Sequence, residues 1–475
     1  MKILLVFPPM LGEERYGGLT KVGSYLPPLG LLYLASALEN KHHIKIIDGT
    51  IENITVEDIG KEVETWHPDV VGVCTYTPTL YRAMATLDLV KRINPAILTV
   101  LGGPHATACP QDSMKNPNVD VCVVGEGEKT FSELLDVYEK DRNIDALHSV
   151  RGILFRKNSE ILANPPRERI TNLDELPFPA RHLIDITRYR PSVLHYKRSP
   201  AFPIVCGRGC PFRCTFCSCS KVFKGRVTIR TPENVLEEVK QVMEKYGAKE
   251  IMFWDDTFGL YENWTYKLCE LIKPLKITWS CWMRVTTVNP EILKKMAESG
   301  CWHISYGVES GNQKVLDTIK KHCTLDQIKN AFTWTHNTGM EARGTYILGL
   351  PNDTWESMMD TINIAIETKA DYAQFQLLTP YPGTELWETA TQYGEFAIKD
   401  FSKYTIWFPV FVPKGLTQEQ LVKAHRFSYR KFYFRPAYIW QRIKSINSWL
   451  DVKRYFMGVQ GLVEYFCGKS GKNKG

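Results

Sequence analysis

Between Lys2 and Leu378, short apolar runs alternate with longer amphipathic segments. Parallel neighbours in a sheet need a crossover, usually a helix, so this alternation confines the chain to α/β architectures with parallel sheets. In residues 1–150 the pattern predicts strands at Lys2–Phe7, Ile44–Ile47, Asp69–Cys74, Ile97–Leu101 and Val119–Val124. Helices are expected at Leu29–Glu39, at Ile54–Trp66, across Leu80, Met84, Leu87 and Lys91, and from Thr130 to Tyr138. Five strands in this order describe a Rossmann-like, doubly wound parallel sheet. Such sheets bind ligands beyond the carboxyl ends of their strands. Those ends carry Asp48-Gly49, Thr75-Tyr76-Thr77, Gly102-Gly103-Pro104-His105 and Gly125-Glu126-Gly127-Glu128. Glycines there let the backbone approach a large flat ligand or a phosphate. None has the GxGxxG spacing of a dinucleotide fingerprint.

A second series follows. Gly152–Phe155 and Glu160–Leu162 read as a hairpin, after which Pro165-Pro166 and Pro177-Phe178-Pro179 break regular structure. A boundary near Ser199 gives a first domain over 1–150 and a connector over 151–198. About six strand–helix units occupy 199–400, with strands at Phe202–Val205, Glu250–Trp254, Ile277–Trp282, His303–Gly307, Ala342–Leu348 and Tyr372–Leu378. Thr231-Pro232 marks a helix start and Gly247 its end. Region 401–475 is basic and aromatic, with helices expected at Gln418–Arg435 and Pro436–Trp449.

The first strand of the second series feeds a loop with cysteines at 206, 210, 214, 217 and 219. Gly207, Gly209 and Pro211 keep it irregular. Cys210, Cys214 and Cys217 have the spacing Cys-x3-Cys-x2-Cys. Thiolates favour zinc or iron–sulfur clusters. A cubane needs four ligands, so three local cysteines leave one iron open for a chelating molecule. A zinc site would draw a fourth thiol from Cys206 or Cys219. With Phe216 before the third cysteine, the motif resembles the signature of radical S-adenosylmethionine (SAM) enzymes. That resemblance implies a [4Fe–4S] cluster on the three cysteines, SAM on the open iron, and a partial (β/α)6 TIM-like barrel with its chemistry at the carboxyl ends of the strands. Asp255-Asp256 resembles the position that contacts the SAM amino group. Arg284 could pair with the SAM carboxylate, for which its planar guanidinium is suited. Glu309-Ser310 resembles a SAM-binding segment, and Gly349 matches the position near adenine. Tyr306, Tyr346, Phe375 and Tyr381 read as core residues or as a substrate lining.

Taken with the first domain, the loop resembles the cobalamin-dependent radical SAM family. The likeness rests on Pro27-Pro28-Leu29-Gly30, Asp48-Gly49, Gly102–Thr107 and Val124–Glu128. It implies cobalamin against Asp48, Thr75, Tyr76, Thr77, Gly103, Pro104, His105, Gly125, Glu126, Gly127 and Glu128. The Asp-x-His-x-x-Gly motif that supplies an imidazole to cobalt in methionine synthase-like proteins is absent. Cobalamin without a histidine from that motif is therefore implied. His105 either lines the corrin or is a loop histidine bonded to backbone.

The implied function is methylation of an unactivated carbon through a 5′-deoxyadenosyl radical and methylcobalamin. The alternatives are an oxidative cyclase or ring-rearranging enzyme with the same cofactors, and a non-catalytic, metal-stapled cobalamin-binding regulator. A small-molecule or lipid-like substrate and an electron donor such as flavodoxin or ferredoxin are expected partners. Thirteen cysteines and no signal-peptide pattern suit the cytoplasm. From Leu421 onward, twelve Lys or Arg face only Asp451 and Glu464, whereas the whole chain carries +7. That tail reads as a helical cap over the barrel mouth, with contact to anionic lipid as a second reading. No nucleic-acid module is present.

Overall fold

The computed structural model describes residues 1–467 other than 194 and 447. The first sheet contains β1 (Lys2–Phe7), β2 (His43–Asp48), β3 (Val70–Cys74), β4 (Leu98–Gly102), β5 (Val121–Val123), β6 (Ile153–Lys157) and β7 (Glu160–Ala163). Its order is β2-β1-β3-β4-β5-β6-β7. β1 to β5 are parallel. Their apolar runs are buried on both faces, as covered parallel strands require. Leu31, Leu32, Phe131 and Leu134 cover one face, and Ile59, Val63, Ala83 and Leu87 the other. The expected doubly wound arrangement is therefore present. The hairpin read in the connector also forms, as β6 and β7, but it adds two antiparallel strands to the first sheet. Strand order reverses between β1 and β3, which opens a crevice beyond their carboxyl ends.

The second sheet contains β8 (Ala201–Ile204), β9 (Glu250–Phe253), β10 (Thr278–Met283), β11 (Cys301–Glu309), β12 (Glu341–Leu348) and β13 (Tyr372–Leu377). All six are parallel and lie in chain order. This is a partial (β/α)6 barrel, open between β8 and β13. Its outer face is apolar. Ile251, Phe253, Trp279, Cys281 and Ile304 pack beneath Val235, Val239, Leu268, Ile292 and Ile328 of the surrounding helices. Tyr306, Tyr346 and Phe375 belong to that outer core, so they do not line an interior cavity. Alternate residues, including Ser280, His303, Ser305 and Arg343, turn the other way. The helix Pro232–Tyr246 is capped by Thr231, whose hydroxyl accepts from Asn234 N–H, and ends at Gly247 with φ 66°.

The tail closes the edge of the barrel at β13, which corrects its reading as a cap over the mouth. From the helix Gln418–Tyr433, His425 Nε2 and the Tyr429 hydroxyl both donate to Phe375 O, at 3.0 and 3.1 Å. The Tyr433 hydroxyl donates to Ala373 O at 2.8 Å and accepts from Ala373 N at 3.1 Å. Tyr438 donates to Asp371 O at 3.0 Å. Side chains here satisfy an edge that a further strand would otherwise pair. A last helix, Trp449–Cys467, was not expected as a separate element. Its Gly461 lies against Leu19 and Val22. Lys469, Lys472 and Lys474 of the basic tail lie outside the described residues. No helix of the described residues is long and apolar enough to cross a membrane.

Candidate active site

The cysteine loop leaves β8 and is fastened by the residues that follow β9. Asp255 Oδ1 accepts from Cys206 N at 2.7 Å and Gly207 N at 3.0 Å. Asp256 Oδ2 accepts from Gly209 N at 2.9 Å, and Thr257 Oγ1 lies 3.2 Å from Cys210 Sγ. Gly209 has φ 93°, and a Cβ there would strike Arg226 O. The adjacent Gly207–Arg208 pairs antiparallel with Thr228–Ile229. Farther along, Thr215 N donates to Ile319 O and Leu386 N donates to Thr215 O. Phe216 packs partly buried beside Val315, Ile319 and Leu378. The loop is thus held along its length before any ligand enters.

Cys210, Cys214 and Cys217 are close enough for Cys217 to feel the charge of the other two. Burial pushes the Cys217 thiol up to about 12, so a thiolate there needs a metal partner. Among the described residues, no three His, Cys, Asp or Glu side chains converge tightly enough for a single ion. A cubane meets each thiolate with a separate iron and fits a wider triangle. Cys206 is fully buried in the core behind the loop, which removes it as a fourth thiol for zinc. Cys219, the other candidate, is close enough to Cys210 and Cys217 to feel their charge, but no single-ion grouping forms with it among the described residues, and the donor set fits a cluster with one open iron.

Around this trio, Arg284 is buried. Its Nη1 donates to Cys214 Sγ at 3.5 Å, its guanidinium stacks 3.8 Å from the Phe212 ring, and its Nη2 has no partner. Glu309 follows a register shift in β11 and has φ 70°. Such irregularities re-aim side chains beside functional sites. Its Oε1 receives Lys321 Nζ at 2.7 Å. Burial pushes Asp255 up to about 7. Gly349, with φ 82°, donates its N–H to Asp353 Oδ2 at 3.0 Å. Ser310 is directed elsewhere, toward Thr361 of the helix Trp355–Glu367, and its hydroxyl accepts from Asn312 N. Tyr381 donates its hydroxyl to Tyr404 O.

A cavity of about 1280 Å³ runs between the cysteine loop and the carboxyl ends of β3, β4 and β5. Tyr76, Gly103, Pro104 and the run Gly125–Glu128 line its first-domain wall, and Arg208, Arg213, Trp254 and Asp256 line the other. Gly103 has φ 98°, and a Cβ there would lie 2.9 Å from Cys74 Sγ and Thr75 N. Four of the expected cobalamin residues lie outside this lining. Asp48 caps the helix Gly49–Glu52 and accepts from the Tyr189 hydroxyl at 3.2 Å. Thr75 is buried in the wall, and Thr77 meets His105 Nδ1 at 3.0 Å. His105 is buried and edge-on to Phe401, its Nε2 has no partner among the described residues, and it does not line the cavity.

Arg208 was missed from the sequence. Its Nη1 donates to Glu126 at 2.9 Å and its Nη2 to Glu128 at 2.6 Å. It therefore ties the cysteine loop to the first domain across the cavity. Its position inside the cysteine motif was the available signal. Lys321, twelve residues beyond Glu309, carried none.

Two family models match. B12 binding domain covers residues 17–135 and Radical SAM superfamily covers residues 204–365. The chain belongs to the radical SAM superfamily, in the group that carries a B12-binding domain ahead of the radical SAM core. An uncharacterized methyltransferase of Pyrococcus horikoshii is 37% identical over 97% of this chain and 98% of its own. The anaerobic magnesium-protoporphyrin IX monomethyl ester cyclase of Cereibacter sphaeroides is 29% identical over 99% of this chain and 77% of its own. The solved structure of the radical SAM methyltransferase TsrM from Kitasatospora setae, with cobalamin and a [4Fe-4S] cluster bound, shares the fold. Its TM-score is 0.71 at 15% identity, covering 98% of this chain and 99% of that one.

Proposed function

We propose that this chain methylates an unactivated carbon of a small-molecule substrate, using a [4Fe–4S] cluster, SAM and cobalamin. The observation that carries the reading is the cavity shared by the cysteine loop and the glycine-rich ends of β4 and β5. When bound, the cluster and SAM supply a 5′-deoxyadenosyl radical, and cobalamin supplies the methyl group. Cys210, Cys214 and Cys217 hold the cluster. Arg284, with a free buried Nη2, receives the SAM carboxylate. Glu309 and Lys321 fix the polar end of the SAM site, and the backbone at Gly349 lies against adenine. Asp255 and Asp256 act by positioning the loop, since their oxygens receive its backbone N–H groups. Tyr76, Gly103, Pro104 and Gly125–Glu128 face the corrin, and Arg208 holds the two walls in register. Keeping the reacting groups aligned and water out is the protein's share of such chemistry.

Oxidative cyclisation remains the second reading, favoured by the cyclase relative that matches 99% of this chain. Anaerobic turnover with methyl-labelled SAM decides between them. Label in the product supports methylation, while label-free ring formation supports cyclisation. A one-electron donor such as flavodoxin or ferredoxin serves the cluster. The tail also offers an anionic lipid surface an exposed band of Trp440, Ile443, Trp449, Phe456 and Val459 beside Lys444 and Lys453. Co-sedimentation with anionic but not neutral vesicles, lost in Trp440→Ser/Trp449→Ser, is the expected result.

A further inference from the structure

The described chain buries six arginines: Arg181, Arg230, Arg284, Arg343, Arg442 and Arg454. Four meet carboxylates. Arg181 and Arg230 share Glu238, Arg442 pairs with Asp371, and Arg454 with Asp451. Arg284 and Arg343 form no ion pair among the described residues. An uncompensated buried charge is costly, so evolution seldom leaves one without a purpose. Arg284 has a place in the SAM site above. Arg343 lies deeper, on the inward face of β12.

Arg343 is surrounded by polar groups that lack partners among the described residues. The residue is 5% exposed. Its Nη2 donates to Gln374 Oε1, while its Nη1 has no partner. The guanidinium carbon sits 5.5 Å from the centre of the Trp282 ring. Ser305 of β11 is opposite Arg343, so His303, two residues earlier, shares the same face. His303 is 2% exposed and its Nε2 has no partner. His195 enters from the connector, with its ring 6.0 Å from Trp254 and 6.1 Å from Trp282. Neither of its ring nitrogens has a partner. It is close enough to Arg343 and His303 to feel their charge.

We infer that Arg343, His303 and His195 form a site inside the barrel for one carboxylate group of the substrate. The inference rests on the reading that the barrel acts on a small molecule, and it specifies that molecule's class. Burial holds both imidazoles neutral at pH 7, His303 down at about 3. His195 and His303 also feel Arg454, and His303 feels Asp371, but Arg454 is paired with Asp451 and Asp371 with Arg442. Among these described residues Arg343 is thus the one charge left without a counter-ion, which matches a monoanionic carboxylate better than a dianionic phosphate. Trp254 and Trp282 give the attached carbon skeleton apolar faces.

The test is calorimetric titration of full-length protein with benzoate, its neutral isostere benzamide, and inorganic phosphate. Saturable benzoate binding is expected, at least tenfold tighter than benzamide and tighter than phosphate. Arg343→Met should weaken benzoate at least tenfold, and Arg343→Lys, which keeps the charge, should weaken it less. Four results would each overturn the inference: no saturable benzoate binding, equal affinity for benzoate and benzamide, phosphate binding more tightly, or unchanged benzoate affinity in Arg343→Met. The wild-type comparison stands even if a variant misfolds. Because methyl transfer is not read, failure of the methylation reading leaves the result interpretable.

Discussion

Replacing Arg208 with methionine should uncouple the cysteine loop from the first domain. Among the described residues the guanidinium is the one group joining Glu126 at 2.9 Å and Glu128 at 2.6 Å to that loop, and all three side chains are at most 15% exposed. Methionine keeps much of the stem but removes the charge, together with the guanidinium that lies over Tyr33. Two partly buried carboxylates then face each other with only Arg169 nearby, its Nε 4.0 Å from Glu126 Oε2. Breaking such a pair costs about 3–5 kcal/mol, most of it from the stranded charges. Glu126 keeps one other hydrogen bond, from Ile170 N at 2.9 Å, so the lower end, about 3 kcal/mol, is expected. Urea denaturation of wild type, Arg208→Met, Glu128→Gln and the double variant reads this directly. The double variant should be more stable than the sum of the single losses predicts, with a coupling energy of about 2 kcal/mol. Additive losses, or an Arg208→Met cost below about 0.5 kcal/mol, would place the pair among solvent-screened contacts and refute the account of the cavity's construction.

Other consequences are equally direct. Tyr433→Phe strips Ala373 of both hydrogen bonds at the barrel edge and should cost about 1–3 kcal/mol in denaturant titration. Gly103→Ala sets a Cβ 2.9 Å from Cys74 Sγ in a backbone with φ 98°. A loss of about 3 kcal/mol is expected from strain and crowding together, read as a lowered urea midpoint. Burial holds His425 down at about 4 from an ordinary 6.5. The neutral ring is the folded form, so its contribution is complete above pH 6.5 and is lost as pH falls toward 4. Linkage puts this near 3 kcal/mol at most. His425→Gln should flatten the fall in stability between pH 7 and 5. Arg284→Met should weaken SAM binding roughly tenfold or more in reconstituted protein, measured by equilibrium dialysis, because a charge-assisted bidentate partner is lost.

Most of the fold was legible because parallel strands and their crossover helices leave strong periodic signals. Ile3–Val6 and Val70–Val73 are apolar throughout, and Thr231-Pro232 and Gly247 bracket their helix as capping chemistry dictates. Signals were weakest where closure depends on tertiary partners. The helix Trp449–Cys467 contains Gly458 and Gly461, which lower its intrinsic propensity, and Gly461 is accounted for only by its contact with Leu19 and Val22. The tyrosines of the tail gave no hint that their hydroxyls would serve the edge of β13. At the site, the cysteine spacing is local and could be read directly. Asp48 and His105 could not be placed, because an Asp or His at a strand end caps a helix or bonds a neighbour as readily as it faces a ligand. Ser310 and Arg208 show the same limit. Their roles depend on Thr361, Glu126 and Glu128, each more than fifty residues away in sequence.

The most direct test of the central claim is metal and cofactor content after anaerobic reconstitution with iron, sulfide and cobalamin. Wild type should carry one cubane and one cobalamin per chain and release 5′-deoxyadenosine from SAM when reduced. Exchanging the three motif cysteines for alanine should abolish the iron and the SAM cleavage while leaving cobalamin bound. Iron retained at wild-type level by that variant, with SAM still cleaved, would contradict the account.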